Sequence, residues 1–357
     1  MPPSPSWPLV PLPTQPDGVP WPTSTWPTGA LPGHVDLEPL MAEAFDRHGV
    51  LHQTYAVVII HRGRLVFERY DGVLPRSGRP GKPVTPTTPL LSWSMAKSML
   101  HAVVGTLVSG GRLSLDEPAD VPSWHDGDDP RRSITLQHLL DMRDGLAFAE
   151  EYVDAEASDV MTMLFGDGRA DMAAFAAGRP PAAPPGSRFN YSSGTSMVIS
   201  GIVARLLGPG EPYRRFLVDR LFAPIGMTSA TTTFDAAGTW VAASYAFATA
   251  RDYARFGLLY LRDGLWEERR VLPPGWVDHG RRPRSIDPDD GEQYGSHWWT
   301  RPGAHGTFWA SGHDGQFIDI CPALDLVVVR MGRTGAERSP QLKRWRMAVI
   351  EAFDPAR

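Results

Sequence analysis

The chain of 357 residues is 42% hydrophobic and 21% charged, and its formal net charge is −5 at pH 7. This composition is typical of a soluble globular enzyme, and the acidic balance gives no electrostatic basis for binding nucleic acid or an anionic membrane. The single cysteine, Cys321, excludes an intrachain disulfide and is typical of a protein from a reducing compartment.

Residues 1–33 are rich in proline and tryptophan. We expect them to form an arm that lies on the protein body, because Trp7, Trp21 and Trp26 would be poorly accommodated in water; the alternative is a disordered tail. The segment has no Lys or Arg before its apolar residues, and prolines interrupt it throughout, so it lacks the pattern of a signal peptide. No later segment reaches the roughly 18 apolar residues of a membrane span. These features predict a cytoplasmic protein.

A helix and a hairpin are the next elements in chain order. The sequence "HVDLEPLMAEAFDRHG" at residues 34–49 predicts a helix that ends at Gly49. The sequence "YAVVIIHRGRLVFERY" predicts two strands around a turn at Arg62-Gly63-Arg64. A loop rich in Pro, Gly and Thr follows at residues 72–89.

Helical patterns dominate from residue 94 to about residue 235, and "SITLQHLLDM" has a candidate N-cap at Ser133 or Thr135. Residues 295–330 change to a composition typical of strands, and "QLKRWRMAVIEAF" predicts a last helix.

Strands near both chain ends with helices between them predict an α+β fold, with an antiparallel sheet flanked by helices and a helical insertion. We expect three parts. They are the arm at 1–33, a sheet domain formed by 34–117 and 245–357, and a helical domain at 118–244.

The stretch "LSWSMAKSML" places Lys97 among apolar neighbours. Burial of an ammonium group is costly unless the group is paired or neutral. On a helix, Ser94 and Lys97 share one face at about 5–6 Å. A serine hydroxyl needs an adjacent base, and a lysine amine can be that base when burial lowers its pKa, whereas arginine cannot. The pattern predicts a nucleophile and its base; the alternative is a chance coincidence of two common residues.

Two further elements could contribute to the same site. Tyr191, in "FNYSSGTSM", follows a Pro/Gly-rich loop and precedes an apolar helix, so it can project into a cleft; the alternative is an ordinary half-buried aromatic residue. The sequence "SGHDGQF" places two glycines around His313. Glycine in a strand indicates close approach of a ligand or another backbone, with a bulge or hairpin corner as the alternative.

Taken in order, Ser94-Met-Ala-Lys97, Tyr191-Ser-Ser193 and His313-Asp-Gly315 resemble the motifs of the serine β-lactamase-like, penicillin-recognising hydrolase superfamily. Those motifs are S-x-x-K, then Y-x-N or Y-x-S, then K-T-G or H-x-G. Within the superfamily the sequence is most similar to the 6-aminohexanoate-dimer (nylon oligomer) hydrolase group, on the class C branch. The likeness is carried by "SMAKS", "ITLQHLLDMRDGLAFAEEYVD", "FNYSSG", "ATARDYARFGLLYLRDG", "GSHWW" and "GHDGQF".

The resemblance implies that Ser94 attacks the substrate carbonyl and forms an acyl-enzyme. It implies that Lys97 takes the serine proton, with Tyr191 nearby and sharing in proton transfer. Tyr152, in "EEYVD", matches a tyrosine that in the dimer-hydrolase group contacts substrate and helps to protonate the leaving amine.

The resemblance also implies an oxyanion hole that pairs the backbone N–H of Ser94 with that of His313, with Gln316 as the other candidate. The residues expected to bind substrate are Tyr152, Ser193, His313, Gly315 and Gln316. Two departures argue against β-lactam hydrolysis. Ser193 stands where β-lactamases and peptidases carry asparagine, and the K-T-G lysine is absent.

The sequence thus predicts a serine hydrolase that cleaves small esters or amides, as a monomer or homodimer. The alternative is a non-catalytic ligand-binding or sensor module on the same fold. We expect no cofactor and no metal, because the sequence has neither H-E-x-x-H nor a close His/Cys cluster. Trp298, Trp299 and Trp309 are candidates to line an apolar acyl pocket, with core packing as the alternative.

Overall fold

The protein combines one large sheet with helices on both of its faces. The computed structural model describes residues 8–76, 79–152 and 158–356. The strands are β1 (Gln53–His61), β2 (Arg64–Tyr70), β3 (Val73–Arg76), β4 (Arg79–Pro83), β5 (Leu90–Leu91), β6 (Thr231–Thr232), β7 (Ala246–Ala248), β8 (Leu265–Trp266), β9 (Arg269–Arg270), β10 (Ser285–Ile286), β11 (Gln293–Tyr294), β12 (Trp299–Arg301), β13 (Thr307–Gly312), β14 (Gln316–Cys321) and β15 (Leu326–Arg333). The helices are α1 (Glu38–Phe45), α2 (Met95–Ser109), α3 (Leu136–Leu140), α4 (Asp159–Phe165), α5 (Met172–Ala177), α6 (Ser193–Leu207), α7 (Glu211–Leu217), α8 (Ala250–Leu261), α9 (Trp276–Arg281) and α10 (Ser339–Glu351).

Both ends of the chain contribute to an eight-stranded sheet with the order β10-β11-β12-β13-β14-β15-β1-β2. Neighbouring strands in it are antiparallel, so β1 from the N-terminal part pairs with β15 from the C-terminal part. Helices α2 to α7 are formed by the chain between β5 and β7, and the short strand β6 also lies in this segment. The predicted α+β class is confirmed.

Strand β1 illustrates why the sheet is covered on both faces. Its sequence "QTYAVVIIH" has consecutive apolar residues, and consecutive side chains of a strand point to opposite faces. Val58 and Ile60 join a cluster with residues of α2 and α8, whereas Val57 and Ile59 join a cluster with residues of α1 and α10. Burial of each such side chain stabilises the fold by about 1.5–3 kcal/mol.

The hairpin predicted around Arg62-Gly63-Arg64 is confirmed as β1 and β2. Arg62 and Gly63 both have positive φ, at 49° and 72°. A two-residue turn of this kind matches the right-handed twist of the paired strands, and glycine at the second position lowers its cost.

Helix α1 is shorter than the sequence predicts and ends at Phe45 rather than near Gly49. Asp46 takes an extended conformation, and its side chain accepts a hydrogen bond of 3.0 Å from the N–H of His48. This local bond competes with continuation of the helix, as is typical of aspartate. Of the two N-cap candidates for α3, Thr135 is the one used, since its hydroxyl accepts from the N–H of His138.

The N-terminal arm lies on its own chain over residues 8–33; Trp7 falls outside the described residues. Three arginines with little exposed surface donate to its backbone carbonyls, and the contacts are Arg255 to Pro22 (2.7 Å), Arg262 to Pro13 (3.3 Å) and Arg281 to Val10 (2.7 Å). Trp26 is buried and Trp21 lies 5.1 Å from Trp266 between ring centroids.

The division into a sheet domain and a helical domain stays a prediction. Residues of α2 and residues of α6 belong to one continuous hydrophobic cluster, so the core runs across the predicted boundary at residue 118. In the part of the chain that the structure describes, no helix is both long enough and apolar enough to cross a membrane.

Candidate active site

Ser94, the predicted nucleophile, stands at the N-terminus of α2, directly before Met95. The residue before it, Trp93, has a φ of 46°, a left-handed conformation that costs free energy for a bulky side chain. Ser92 fixes the chain one residue earlier, because its N–H donates to the carbonyl of Ala246 at 2.8 Å. The chain therefore turns sharply into the helix and holds Ser94 half-buried at its start.

The end of β13 lies against this turn. A Cβ atom on Gly312 would stand 2.3 Å from the carbonyl oxygen of Ser92 and 3.2 Å from Cβ of Trp93. Only glycine permits this approach, which explains the first glycine of "SGHDGQF". The next residue, His313, is thereby brought beside the turn, with its ring centroid 5.3 Å from that of Trp93.

Lys97 is 2% exposed, and its Nζ has three polar neighbours. They are Oγ of Ser94 at 3.0 Å, Oγ of Ser193 at 3.0 Å and the carbonyl oxygen of Ala243 at 2.9 Å. Burial lowers the pKa of Lys97 to about 8, and the carboxylate of Glu150 opposes this shift. A substantial fraction of the amine is therefore neutral under mildly alkaline conditions.

Tyr191 lies beside this pair, at the loop that precedes α6. Its ring centroid is 5.0 Å from Nζ of Lys97, and its hydroxyl faces the hydroxyl of Ser94. Burial raises the pKa of Tyr191, and the Glu150 carboxylate raises it further. The tyrosine is therefore a neutral phenol that can donate or accept one hydrogen bond beside Ser94. The structure thus brings Ser94, Lys97 and Tyr191 together.

Ser193 is fully buried as the first residue of α6, and a carboxylate holds it there. Its N–H donates to Oε2 of Glu150 at 2.7 Å, and its hydroxyl donates to Oε1 at 2.6 Å. The hydroxyl of Tyr152 also donates to Oε1, at 2.6 Å. A carboxylate at a helix N-terminus is favoured by the helix dipole.

The rings of Tyr152 and His313 pack against each other, with centroids 5.1 Å apart. The Tyr152 side chain is 40% exposed. The remaining burial and the Glu150 carboxylate both raise the pKa of Tyr152, so it is a neutral hydrogen-bond donor. With Trp93, the two rings form an aromatic rim beside Ser94.

The side chain of Gln316 and the backbone of Gly315 pack against neighbouring parts of the β13–β14 turn, and the expectation that these two residues bind substrate stays a prediction. A Cβ on Gly315 would stand 2.5 Å from Nη1 of the buried Arg330, and its φ of 79° also requires glycine. The Gln316 amide is 4% exposed and bonds the carbonyls of His313 (2.9 Å) and Gly332 (2.7 Å). These contacts brace the β13–β14 turn, and of Gln316 only the backbone N–H stays a candidate for substrate contact.

Of the three tryptophans considered for an acyl pocket, two pack in the core and one lies near the site. Trp298 is fully buried against Tyr260, with ring centroids 4.4 Å apart, and Trp309 packs under the guanidinium of Arg346. Both are core residues. Trp299 alone approaches the site, with its ring 5.5 Å from that of Tyr191.

The sequence did not predict two groups of the site, the Glu150 carboxylate and the Ala243 carbonyl. Glu150 stood two residues before Tyr152 in the quoted "EEYVD", but nothing in the sequence indicated that it would contact Ser193, 43 residues later. The Ala243 carbonyl that accepts from Lys97 has no side-chain signal at all, because every residue carries a carbonyl.

The likeness to known proteins extends over the whole of this arrangement. The β-lactamase family model matches residues 42–352. The chain belongs to the β-lactamase family. The resemblance inferred from the three motifs is thereby confirmed, and the protein is a hydrolase of the serine β-lactamase superfamily.

Relatives of this β-lactamase-family protein include a 6-aminohexanoate-dimer hydrolase from Paenarthrobacter ureafaciens, which is 29% identical over 293 residues. That alignment covers 71% of this chain and 68% of the relative. Among solved structures, a candidate 6-aminohexanoate-dimer hydrolase from Bacillus anthracis matches with a TM-score of 0.75 at 23% identity, over 97% of this chain and 90% of that one. EstCE1, a hydrolase with promiscuous acyltransferase activity, matches with a TM-score of 0.67 at 18% identity, over 88% and 97%. The two structural matches show a shared fold.

Proposed function

We propose that this β-lactamase-family protein is a serine hydrolase that cleaves small esters or amides through an acyl-enzyme on Ser94. The observation that carries the proposal is the contact of 3.0 Å between Nζ of Lys97 and Oγ of Ser94, made by an amine that is 2% exposed. A base must lie within about 2.6–3.2 Å of the proton it removes and must be able to lose its own proton, and Lys97 meets both conditions.

In the first half of the reaction, the lone pair of the neutral Lys97 amine takes the Ser94 hydroxyl proton. The Oγ atom then forms a bond to the substrate carbonyl carbon, and the carbonyl oxygen takes the negative charge. The tetrahedral intermediate then collapses, as the bond between the carbon and the leaving group breaks and the carbonyl re-forms. An amine leaving group takes a proton from Tyr191, a neutral phenol beside both groups, and Tyr191 regains a proton from the Lys97 ammonium. Water attacks the acyl-enzyme in the second half, with the same groups acting in the reverse order.

The negative oxygen needs hydrogen-bond donors fixed before the reaction. One donor is the N–H of Ser94 at the positive end of α2, and the other is the N–H of His313, which the approach of Gly312 brings beside Trp93. Loss of one such donor typically costs about 2.7–4 kcal/mol of transition-state stabilisation. The Gln316 N–H is the alternative second donor.

The substrate class follows from the aromatic rim and from the relatives. Trp93, Tyr152 and His313 offer apolar faces to a small acyl or amine chain. The Tyr152 oxygen, whose hydrogen goes to Glu150, can accept from the N–H of an amide leaving group. One relative is named as a 6-aminohexanoate-dimer hydrolase, and a structural neighbour is described as a hydrolase with promiscuous acyltransferase activity. Hydrolysis of small carboxylic esters is the broader activity that we propose, and cleavage of short ω-amino-acid amides is the narrower one.

The test compares hydrolysis of p-nitrophenyl butyrate and of the 6-aminohexanoate linear dimer by the wild-type protein and Ser94→Ala. Ser133→Ala, at an exposed serine before α3, serves as the matched control. We expect the control to keep wild-type rates and Ser94→Ala to lose at least about 10³-fold in turnover. A folded wild-type protein that hydrolyses neither substrate would favour the ligand-binding module instead.

A further inference from the structure

Among the described residues, Glu150 is the one carboxylate with hydrogen bonds to two predicted site residues, Ser193 and Tyr152. Its Oε1 accepts from the hydroxyls of Ser193 and Tyr152, both at 2.6 Å, and its Oε2 accepts from the N–H of Ser193 at 2.7 Å. Two acceptor oxygens thus serve three donors. An amide in the same place could not accept from all three donors, because its NH₂ would face either the backbone N–H or the two hydroxyls.

These bonds fix the direction of the hydrogen bonds around Lys97. The Ser193 hydroxyl gives its only hydrogen to Glu150, so toward Nζ of Lys97 it can act only as an acceptor. The carbonyl of Ala243 is also an acceptor only. A neutral amine has two N–H bonds, and these two acceptors take both. The lone pair is then left for the third neighbour, the hydroxyl of Ser94.

We propose that Glu150 is a positioning residue that, through Ser193, aims the lone pair of Lys97 at Ser94 and, through the Tyr152 hydroxyl, holds the leaving-group side of the site. The inference rests on the proposed function and assigns a role to a residue that does not touch the reacting atoms. Without this carboxylate, the Ser193 hydroxyl could turn and donate to Lys97, which would occupy the lone pair that the reaction needs.

The electrostatic surroundings of the amine give the same residue a second effect. Among the described residues, the titratable groups that face Lys97 or its immediate neighbours come from five segments, and they are Glu150, Tyr152, Tyr191, Asp287, Tyr294, His297 and His313. Burial lowers the pKa of His297 to about 3, and burial raises the pKa of all three tyrosines, so these four groups are neutral from pH 5 to 9. The Asp287 carboxylate contributes to the raised pKa of Tyr191. Glu150 is the carboxylate that acts on Lys97, where it favours the protonated amine.

Removal of the Glu150 charge should therefore lower the pKa of Lys97. Loss of the carboxylate should also reduce turnover. We would measure both in Glu150→Gln, with Glu117→Gln as a control that makes the same charge change at an exposed residue after α2. The chain has three lysines, Lys82, Lys97 and Lys343, so ¹³Cε-lysine labelling should give three NMR titrations. Lys82→Arg and Lys343→Arg assign them.

In Glu150→Gln we expect the Lys97 titration to move to lower pH, with the other two lysines unmoved. The acid limb of the kcat/KM profile on p-nitrophenyl butyrate should move the same way, and its plateau should fall about 10- to 100-fold because the site is misaligned. Glu150→Asp keeps the charge with a shorter reach, so it should keep the acid limb near its wild-type position while the plateau still falls. Glu117→Gln should match the wild type in every readout.

A Lys97 titration that stays in place in Glu150→Gln would overturn the inference, as would a reduced plateau with an unmoved acid limb. The NMR titration needs no turnover. Wild-type protein without Ser94-dependent hydrolysis would therefore contradict the proposed function, whereas an unmoved Lys97 in an active enzyme would contradict the role of Glu150 alone. If Glu150→Gln does not fold, Glu150→Asp decides: a wild-type plateau in that variant would contradict the inference.

Discussion

Nζ of Lys97 lies 3.0 Å from Oγ of Ser94 across the first turn of α2, and the lysine side chain is almost fully buried. Burial that would be a liability for a structural lysine brings the pKa of this amine down to about 8. The apolar surroundings of Lys97 are thus the physical reason why part of this amine is neutral, and able to accept the serine proton, at a pH near 8.

Lys97→Arg should abolish most of the activity although it keeps a positive charge. A guanidinium is not deprotonated in proteins and cannot take the serine proton, so we expect kcat/KM to fall about 10²- to 10⁴-fold on p-nitrophenyl butyrate. Lys343→Arg, on α10 where the lysine pairs with Glu292, is the matched control and should keep wild-type rates. Retention of activity in Lys97→Arg would mean that another group is the base.

The activity should rise with pH through a midpoint near the Lys97 pKa of about 8. The reason is that the base must be neutral to accept a proton, and burial makes the amine neutral far below the ordinary value of 10.5. The measurement is kcat/KM for p-nitrophenyl butyrate from pH 5.5 to 9, corrected for spontaneous hydrolysis. A midpoint below pH 6.5 would point to a histidine or carboxylate as the base.

The same pKa predicts a pH dependence of stability. As pH rises from about 8 to 10.5, the folded protein loses the Lys97 proton while the unfolded chain keeps it, so the free energy of unfolding increases with pH. The gain is about 3 kcal/mol for a shift of this size. It should appear in urea titrations as a growing difference between the wild type and Lys97→Met. A constant difference across this range would show that the folded-state pKa is near its ordinary value.

Gly312→Ala should damage the site while the fold stays intact. Its Cβ would stand 2.3 Å from the Ser92 carbonyl, so β13 and the Trp93–Ser94 turn must move apart. A displacement of about 1 Å can cost about 100-fold in rate, and we expect a loss of that order in kcat/KM. Gly33→Ala, where the added Cβ meets open space, is the control and should be unaffected. Equal activity of the two variants would remove Gly312 from the account.

Tyr152→Phe should separate amides from activated esters. The hydroxyl hydrogen of Tyr152 goes to Glu150, so the Tyr152 oxygen can accept from the N–H of an amide leaving group, whereas p-nitrophenolate has no N–H. We therefore expect kcat/KM for the 6-aminohexanoate dimer to fall at least about tenfold more than kcat/KM for p-nitrophenyl butyrate. Equal losses on both substrates would indicate that the Tyr152 hydroxyl only maintains the rim.

Features fixed by neighbours in the sequence were predictable, and features fixed by distant contacts were not. Ser94 and Lys97 are three residues apart on a helix, and Arg62 with Gly63 form a local turn, so the sequence specifies both. The contact of Glu150 with Ser193 depends on how two loops meet. The inward direction of Gln316 depends on its partner Gly332 in the neighbouring strand β15. Which tryptophan reaches the site likewise depends on the register of the sheet, because the register determines the face on which each side chain lies.

The central claim is that Ser94 forms the covalent intermediate, and intact-mass spectrometry after incubation with a fluorophosphonate probe tests it most directly. The account predicts one adduct on the wild-type protein and none on Ser94→Ala, with peptide mapping that places the adduct within "SMAKS". An adduct of equal yield on Ser94→Ala, or a folded wild-type protein that stays unlabelled, would contradict it.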